Sequence, residues 1–145
     1  MAENIEVYLA DFIREREIIE ELRVRVFVRE QGVPEELEMD ERDMYCRHFL
    51  ARCDGVAIGT VRLDLELKGK MGRLAVIQPY RRRGAGRQLV ERLHQSARDV
   101  GLSEIWCHAQ LSAQNFYRVL GYKAEGSIFE EAGIDHITMR YSMVK

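Results

Sequence analysis

The stretch that most constrains this chain is Arg73-Leu74-Ala75-Val76-Ile77-Gln78-Pro79-Tyr80-Arg81-Arg82-Arg83-Gly84-Ala85-Gly86-Arg87. A strand-like run leads into a glycine-containing loop, and the loop opens a helix. Glycine lets the backbone approach a ligand closely, and the first N–H groups of a helix have no intrahelical partner. Those donors, with the helix dipole, form an anion site. Arg81, Arg82, Arg83 and Arg87 add charge suited to a polyphosphate. The third glycine of a dinucleotide fingerprint is absent, and the loop follows a meander rather than opening a βαβ unit, which argues against a Rossmann-type site. No Gly-Lys-Ser/Thr follows, so this is not a Walker loop.

The flanking pattern sets the element order. Ile5 to Leu9 is β-prone, and Asp11 offers an N-cap to a helix carrying Ile18, Ile19, Leu22, Val26 and Phe27 at helical spacing. Gly32 and Pro34 end that helix near Gln31-Gly32. Glu35 to Asp43 is polar. Tyr45 to Cys53 and Val56 to Leu67 flank Asp54-Gly55, a strong hairpin signal, and Lys68-Gly69-Lys70 turns into a third strand, Met71 to Ile77. Gly84 to Val100 reads as a helix capped by Gly101, Glu104 to Ala109 as a strand and Ser112 to Leu120 as a helix. Ser127 to Glu130 and His136 to Met143, joined at Glu131-Ala132-Gly133, form a terminal hairpin. The expected fold class is α+β, with a mixed central sheet in the order β-α-β-β-β-α-β-α-β-β. One domain over residues 1–145 suits this length.

The net charge of −2 conceals a split. From Glu30 to Asp43, seven acids face one base; from Arg73 to Arg98, seven arginines face one acid. Such segregation marks candidate binding surfaces. A basic nucleic-acid patch is the competing reading of the second segment, but the rest of the chain is acidic and has no basic face interleaved with aromatics, so no nucleic-acid partner is expected. No apolar run approaches a membrane span, so no membrane partner is expected. The start of the chain is acidic and lacks the blocks of a signal peptide, and Cys46, Cys53 and Cys107 are odd in number without a C-x-x-C. A cytoplasmic location with reduced thiols follows as the expectation. Cys46, His48 and Asp43 lack a second ligand pair at conventional spacing, so no metal is expected.

Leu74-Ala75-Val76 followed by Arg81-x-x-Gly84-x-Gly86 resembles the acetyl-CoA motif of the GCN5-related N-acetyltransferases. Ala113-x-x-Phe116-Tyr117-x-x-x-Gly121-Tyr122 resembles that family's second signature, and the element order matches across nearly the whole chain. Arg25-Val26-Phe27-Val28-Arg29-Glu30-Gln31, Glu38-x-Asp40-x-x-Asp43, His48, His108-Ala109-Gln110 and Gly133-Ile134-x-His136 resemble the short bacterial ElaA-like and YjcF-like branch. The resemblance implies acetyl-CoA as co-substrate. Its pyrophosphate would lie on N–H groups of the Arg82 to Arg87 loop, including Arg83, Gly84, Ala85 and Gly86, beside Arg81. Its pantetheine arm would lie along Leu74, Ala75 and Val76. Gln110, standing where the family commonly has Asn, and Phe116 complete the implied contacts. The family's splay between the strands of Leu74 and Ile105 would admit the thioester.

The implied reaction is direct attack of a primary amine, from a small molecule or a protein, on that thioester. Tyr117 would protonate the departing thiolate, since a phenol keeps its proton near neutrality. The Val76 N–H could serve the oxyanion. Glu30 and His48 are the candidate bases, against an ion pair with Arg25 or Arg29 for the first and a structural hydrogen bond for the second. Asp40 and Asp43 could attract a cationic acceptor or fix their loop by pairing with arginines. A non-catalytic acyl-CoA-binding or regulatory module is the alternative to an enzyme, and the terminal hairpin could supply the edge of a homodimer.

Overall fold

A computed structural model describes residues 4–144, and the described residues form a seven-stranded sheet in the order β1-β2-β3-β4-β5-β7-β6. Strand β1 (Ile5–Leu9) leads to α1 (Phe12–Arg23), whose cap Asp11 accepts the Arg14 amide at 3.2 Å. α1 runs on as a π-helical segment, Val24–Glu30, ending before Gly32 at φ +77°. The short helix α2 (Glu35–Glu38) and a 3₁₀ turn (Glu41–Tyr45) follow. Strands β2 (Arg47–Cys53), β3 (Val56–Asp64) and β4 (Lys70–Val76) make the meander. Asp54 and Gly55 both have positive φ, 49° and 85°, as a two-residue hairpin turn matching strand twist requires. Helix α3 (Ala85–Asp99), β5 (Glu104–Gln110), α4 (Gln114–Val119), β6 (Lys123–Glu131) and β7 (Ile134–Ser142) complete the chain. The expected α+β order is present, with α2 and the 3₁₀ turn added inside the acidic loop.

α1 and α3 cover opposite faces. Phe12 of α1 stacks on His48 of β2 at 4.2 Å, while Arg92 of α3 lies over the ring of the adjacent Phe49 at 5.4 Å. Neighbouring strand residues point to opposite faces, so these two contacts fix the sides. Leu89, Val90, Leu93 and Ala97 of α3 are fully buried.

The feature that positions the site is a failure of pairing. β4 and β5 are parallel neighbours in register at Lys70↔Trp106 and Met71↔Cys107, and beyond that they diverge. The cause lies in β4. Against β3, Gly72 faces Arg62 but Ala75 faces Thr60, a bulge at which Arg73 takes φ +54°. A bulge bends its strand. β5 cannot follow, because all seven of its residues are held antiparallel against β7.

Under α3, His94 is buried, with Nε2 2.6 Å from Tyr122 Oη and its ring stacked on Tyr141 at 4.4 Å. Burial, with Arg98 nearby, pushes its imidazole down to about 4 from 6.5. Between those values the unfolded chain takes a proton that the folded chain refuses. Stability is therefore fully present above pH 6.5 and is lost as pH falls through about 4, by on the order of 3 kcal/mol. His94→Phe should flatten this part of a plot of melting temperature against pH. An unchanged slope in the variant would assign the acid sensitivity elsewhere.

Candidate active site

The divergence of β4 and β5 opens a cleft of about 400 Å³. Leu74, Ala75 and Val76 line it from β4, and Cys107, His108 and Gln110 from β5. Ile77 N–H bonds Ile58 O at 2.9 Å, so by ladder alternation the Val76 N–H and C=O face away from β3 and into the opening. The Val76 carbonyl accepts Arg81 Nε at 2.7 Å. An adjoining cavity of about 260 Å³ shares Arg73, Gln110, Glu131 and His136 with the cleft.

The loop from β4 to α3 has left-handed residues at Arg82 (φ +64°) and Gly84 (φ +88°), and Gly84 is the N-cap of α3 with no side-chain capping bond. The first amides of α3 are left available to an anion. Gly86 serves packing: a Cβ there would meet the Phe116 ring at 3.3 Å. Ala85 is buried beneath the loop. Arg82, Arg83 and Arg87 are exposed; Arg83 lies over the Tyr80 ring at 5.3 Å, and Arg87 pairs with Glu91 at 3.2 Å.

The two sides of the sheet present different chemistry to the cleft. Tyr122 Oη contacts Met71 Sδ, His94 of α3 bonds Tyr122, and the Tyr117 ring packs on both Phe116 and Tyr122, so Tyr117 belongs to the α3–α4 side. It lines the cleft, and its hydroxyl makes no hydrogen bond among the described residues. Burial pushes that hydroxyl well above the ordinary phenol range, so it stays protonated. Cys107, on the same side, is pushed up to about 12 by burial and is no thiolate. On the α1 side, Gln110 Nε2 donates to Gln31 Oε1 at 2.8 Å, joining β5 to the end of the π-helical segment. His108 shares that face by strand alternation.

Both expected bases require correction. His48 is 1 % exposed, lies outside the cleft and bonds the Asp43 carbonyl at 2.8 Å through Nε2, while Nδ1 is buried without a partner among the described residues. Burial pushes its imidazole down. It is a core residue beneath Phe12. Glu30 pairs with neither Arg25 nor Arg29. It forms a two-point ion pair with Arg81, Arg81 Nη2 to Oε1 at 2.7 Å, which holds its carboxyl below the usual range. That makes it a poor proton acceptor and ties Arg81 to the π-helical segment.

Part of the acidic segment turns inward, at Glu38 and Asp43. Arg23 is fully buried and bonds Glu38 Oε1 at 2.8 Å, Asp43 Oδ1 at 2.7 Å and the Glu38 carbonyl at 2.6 Å. Arg62 joins Asp40 at 2.8 Å and Asp43 at 2.7 Å, and Arg73 reaches Asp40 at 3.3 Å. Asp40 and Asp43 also close a reciprocal capping box on the 3₁₀ turn. Burial alone would raise the Asp43 carboxyl, but Arg23, the Asp40 amide and Arg62 outweigh it and hold it at about 2. Of the two roles open for these aspartates, the arginine-paired one is realised. The segregated charges meet across the fold, Asp40 and Glu38 with Arg73, Glu30 with Arg81.

Site reasoning from sequence did not single out Glu131, nor the placing of His108 and His136 in the cleft wall. His108 Nδ1 lies 2.7 Å from Glu131 Oε2, and His136 Nδ1 bonds the Ile134 carbonyl at 2.7 Å. All three line the cleft. The signal was the alternation Trp106, His108, Gln110, which puts the histidine on one face of β5. Nothing local identifies Glu131 as its partner.

This architecture, a bulged β4 splayed from β5 with a glycine loop opening α3, has counterparts among known proteins. The acetyltransferase (GNAT) domain model matches residues 11–143. A Bacillus subtilis protein named as a candidate acetyltransferase is 37% identical over 123 residues, covering 82% of this chain and 84% of that one. The uncharacterized N-acetyltransferase YjcF of the same organism is 33% identical over 120 residues, covering 81% and 86%. The crystal structure of Escherichia coli ElaA superposes with a TM-score of 0.84 over 96% of this chain and 99% of that one at 24% identity, a likeness of fold. The chain is therefore an acyltransferase by class. It belongs to the GNAT acetyltransferase family, with YjcF among its relatives.

Proposed function

We propose that this protein transfers an acetyl group from acetyl-CoA to a primary amine by direct attack on the thioester. The observation that carries the reading is the cleft between β4 and β5, which has available helix amides at the Arg82–Arg87 loop and a protonated Tyr117 hydroxyl in its wall. The residues present fit the co-substrate. Gly84 adopts the left-handed conformation that leaves the α3 amides uncapped, and the cleft edge of β4 offers backbone groups to an extended arm.

In this reading the α3 amides and exposed Arg82, Arg83 and Arg87 hold the pyrophosphate. Leu74, Ala75 and Val76 lie along the pantetheine, with Phe116 and Gln110 flanking it. Arg81 acts indirectly, by bracing the Val76 carbonyl and Glu30. The Val76 N–H supports the oxyanion, and Tyr117 gives its proton to the departing thiolate. The acceptor amine enters from the α1 side, toward the cavity shared by Arg73, Glu131 and His136.

Thiol release from acetyl-CoA, followed across a panel of small amines and lysine-containing peptides, tests this directly. The expected result is release that depends on the amine, with one acetylated amine formed per thiol. Tight acetyl-CoA binding without amine-dependent release on any member would instead support a binding or regulatory module.

A further inference from the structure

We propose that His108, oriented by Glu131, is the base that removes the proton from the acceptor ammonium. The inference rests on the N-acetyltransferase reading and deepens it.

The geometry is that of a carboxylate–imidazole pair facing a cavity. Glu131, at the end of β6, accepts at 2.7 Å from His108 Nδ1, and a carboxylate at that distance fixes the proton on Nδ1. In the neutral ring Nε2 then carries the lone pair. It makes no hydrogen bond among the described residues, yet it is not sealed in the core; the side chain is 28 % exposed and lines the cleft. The ring plane is held by edge contacts with Trp106 at 5.5 Å and Phe129 at 4.8 Å. A base whose tautomer and orientation are fixed by a third group is the arrangement that proton abstraction needs.

Its placement also suits the reaction. His108 points to the α1 side of the splay and Tyr117 to the α3–α4 side, so base and acid approach a thioester from opposite faces of the sheet. Among rival groups, the carboxylates are committed and His136, whose Nδ1 bonds the Ile134 carbonyl, has no carboxylate to stabilise an imidazolium. Glu30 is held by Arg81, Glu38 by Arg23, and His48 lies outside the cleft. The charged and titratable groups lining the cleft with His108 are Glu131 on β6, His136 on β7, Arg62 and Asp64 on β3, Lys70 and Arg73 on β4, Arg81 beyond it, and Cys107 and Tyr117 on the opposite side. Arg140 of β7 is paired with Glu125 and Glu104.

The step balances. The ammonium N–H bond breaks and its proton goes to Nε2, giving an imidazolium stabilised by the Glu131 carboxylate. The neutral nitrogen forms the C–N bond to the thioester carbon, and the C–S bond breaks. Tyr117 protonates the thiolate, and the second proton shed by the nitrogen restores Tyr117 through solvent. His108 then returns its proton to solvent, so the net products are amide, thiol and one proton.

The test compares pH profiles of acetyl transfer to an active amine for the wild type, His108→Gln and Glu131→Gln. His108→Gln should lower kcat/KM by about 10²- to 10³-fold near neutrality. It should abolish the acidic limb attributable to the base, recover as rising pH supplies free amine, and leave acetyl-CoA affinity unchanged. Glu131→Gln should lose less. Added imidazole should partly restore His108→Gly. Nitrogen-15 spectra of the ligand-free wild type should show the Nδ1–H tautomer at His108. An active wild type with His108→Gln retaining its rate and acidic limb, or an Nε2–H tautomer, overturns the dyad while leaving the acetyltransferase reading intact. A wild type inactive on every amine overturns both.

Discussion

Arg23→Leu should destabilise the protein by about 3–5 kcal/mol, read as a drop in the denaturant midpoint without a change in slope. Arg23 is 0 % exposed and its guanidinium is shared between Glu38 and Asp43, themselves 2 % exposed. Removing it takes from two buried carboxylates their shared partner, leaving Arg62 on Asp43 at 2.7 Å and Arg73 near Glu38 at 3.4 Å to offset the cost of ionising them there. Against a typical total stability of about 5–15 kcal/mol this is a large fraction. The damage should be local first, because Glu38 and Asp43 anchor α2 and the 3₁₀ turn against the sheet. Arg23→Lys should also lose most of the stabilisation, since an ammonium cannot make the forked contacts with Glu38 and Asp43. The network should weaken in acid. Asp43 contributes stability above the unfolded carboxyl value of 3.8, and that contribution is lost as pH falls through about 2. A loss within a few tenths of a kcal/mol for Arg23→Leu would mean that the buried charges are not coupled as described.

Tyr117→Phe should lower kcat of acetyl transfer by about 10²- to 10⁴-fold with little change in acetyl-CoA affinity. The substitution is unusually clean here. The hydroxyl forms no hydrogen bond among the described residues, and the ring contacts with Phe116 and Tyr122 survive it. Stability should therefore hold, and a loss of rate would report the proton alone. Undiminished kcat would remove Tyr117 from the chemistry and leave it as a packed aromatic.

Much of this molecule could be read from local pattern. Asp54-Gly55, the cap at Asp11, the stop at Gly32 and the apolar face of α3 each act within a few residues, and each appears where expected. The elements that escaped are those whose cause is not local. The π-helical segment keeps a helical pattern of apolar residues, so Val24–Glu30 reads as more of α1. The first half of β6, Lys123 to Gly126, is exposed throughout and carries no alternation of apolar and polar residues; pairing with β7 alone makes it a strand. α2 hides in an acidic run that looks solvated because its partners, Arg23, Arg62 and Arg73, lie on three other elements.

The candidate site divides in the same way. The glycine loop before α3 and Tyr117 stand on contiguous motifs and could be singled out from sequence. The proton acceptor could not. His48 was attractive for its intrinsic chemistry, but β2 lies beneath α1, and burial removes the histidine from solvent. His108 and Glu131 are 23 residues apart and meet because β7 is inserted between β5 and β6, a fact of sheet order. The charge split told of a real feature, and part of its meaning is internal. Arg73 and Arg81 pair with acids of the other segment, Arg23 and Arg62 from outside both hold Glu38, Asp40 and Asp43, and Arg82, Arg83 and Arg87 stay exposed.

A crystal structure of the protein with CoA and an acceptor amine tests the central claim most directly. The account predicts the pantetheine arm between β4 and β5, with the sulfur within hydrogen-bonding reach of Tyr117 Oη and the amine nitrogen within reach of His108 Nε2. Coenzyme bound outside that splay, or a sulfur directed away from Tyr117, would contradict it.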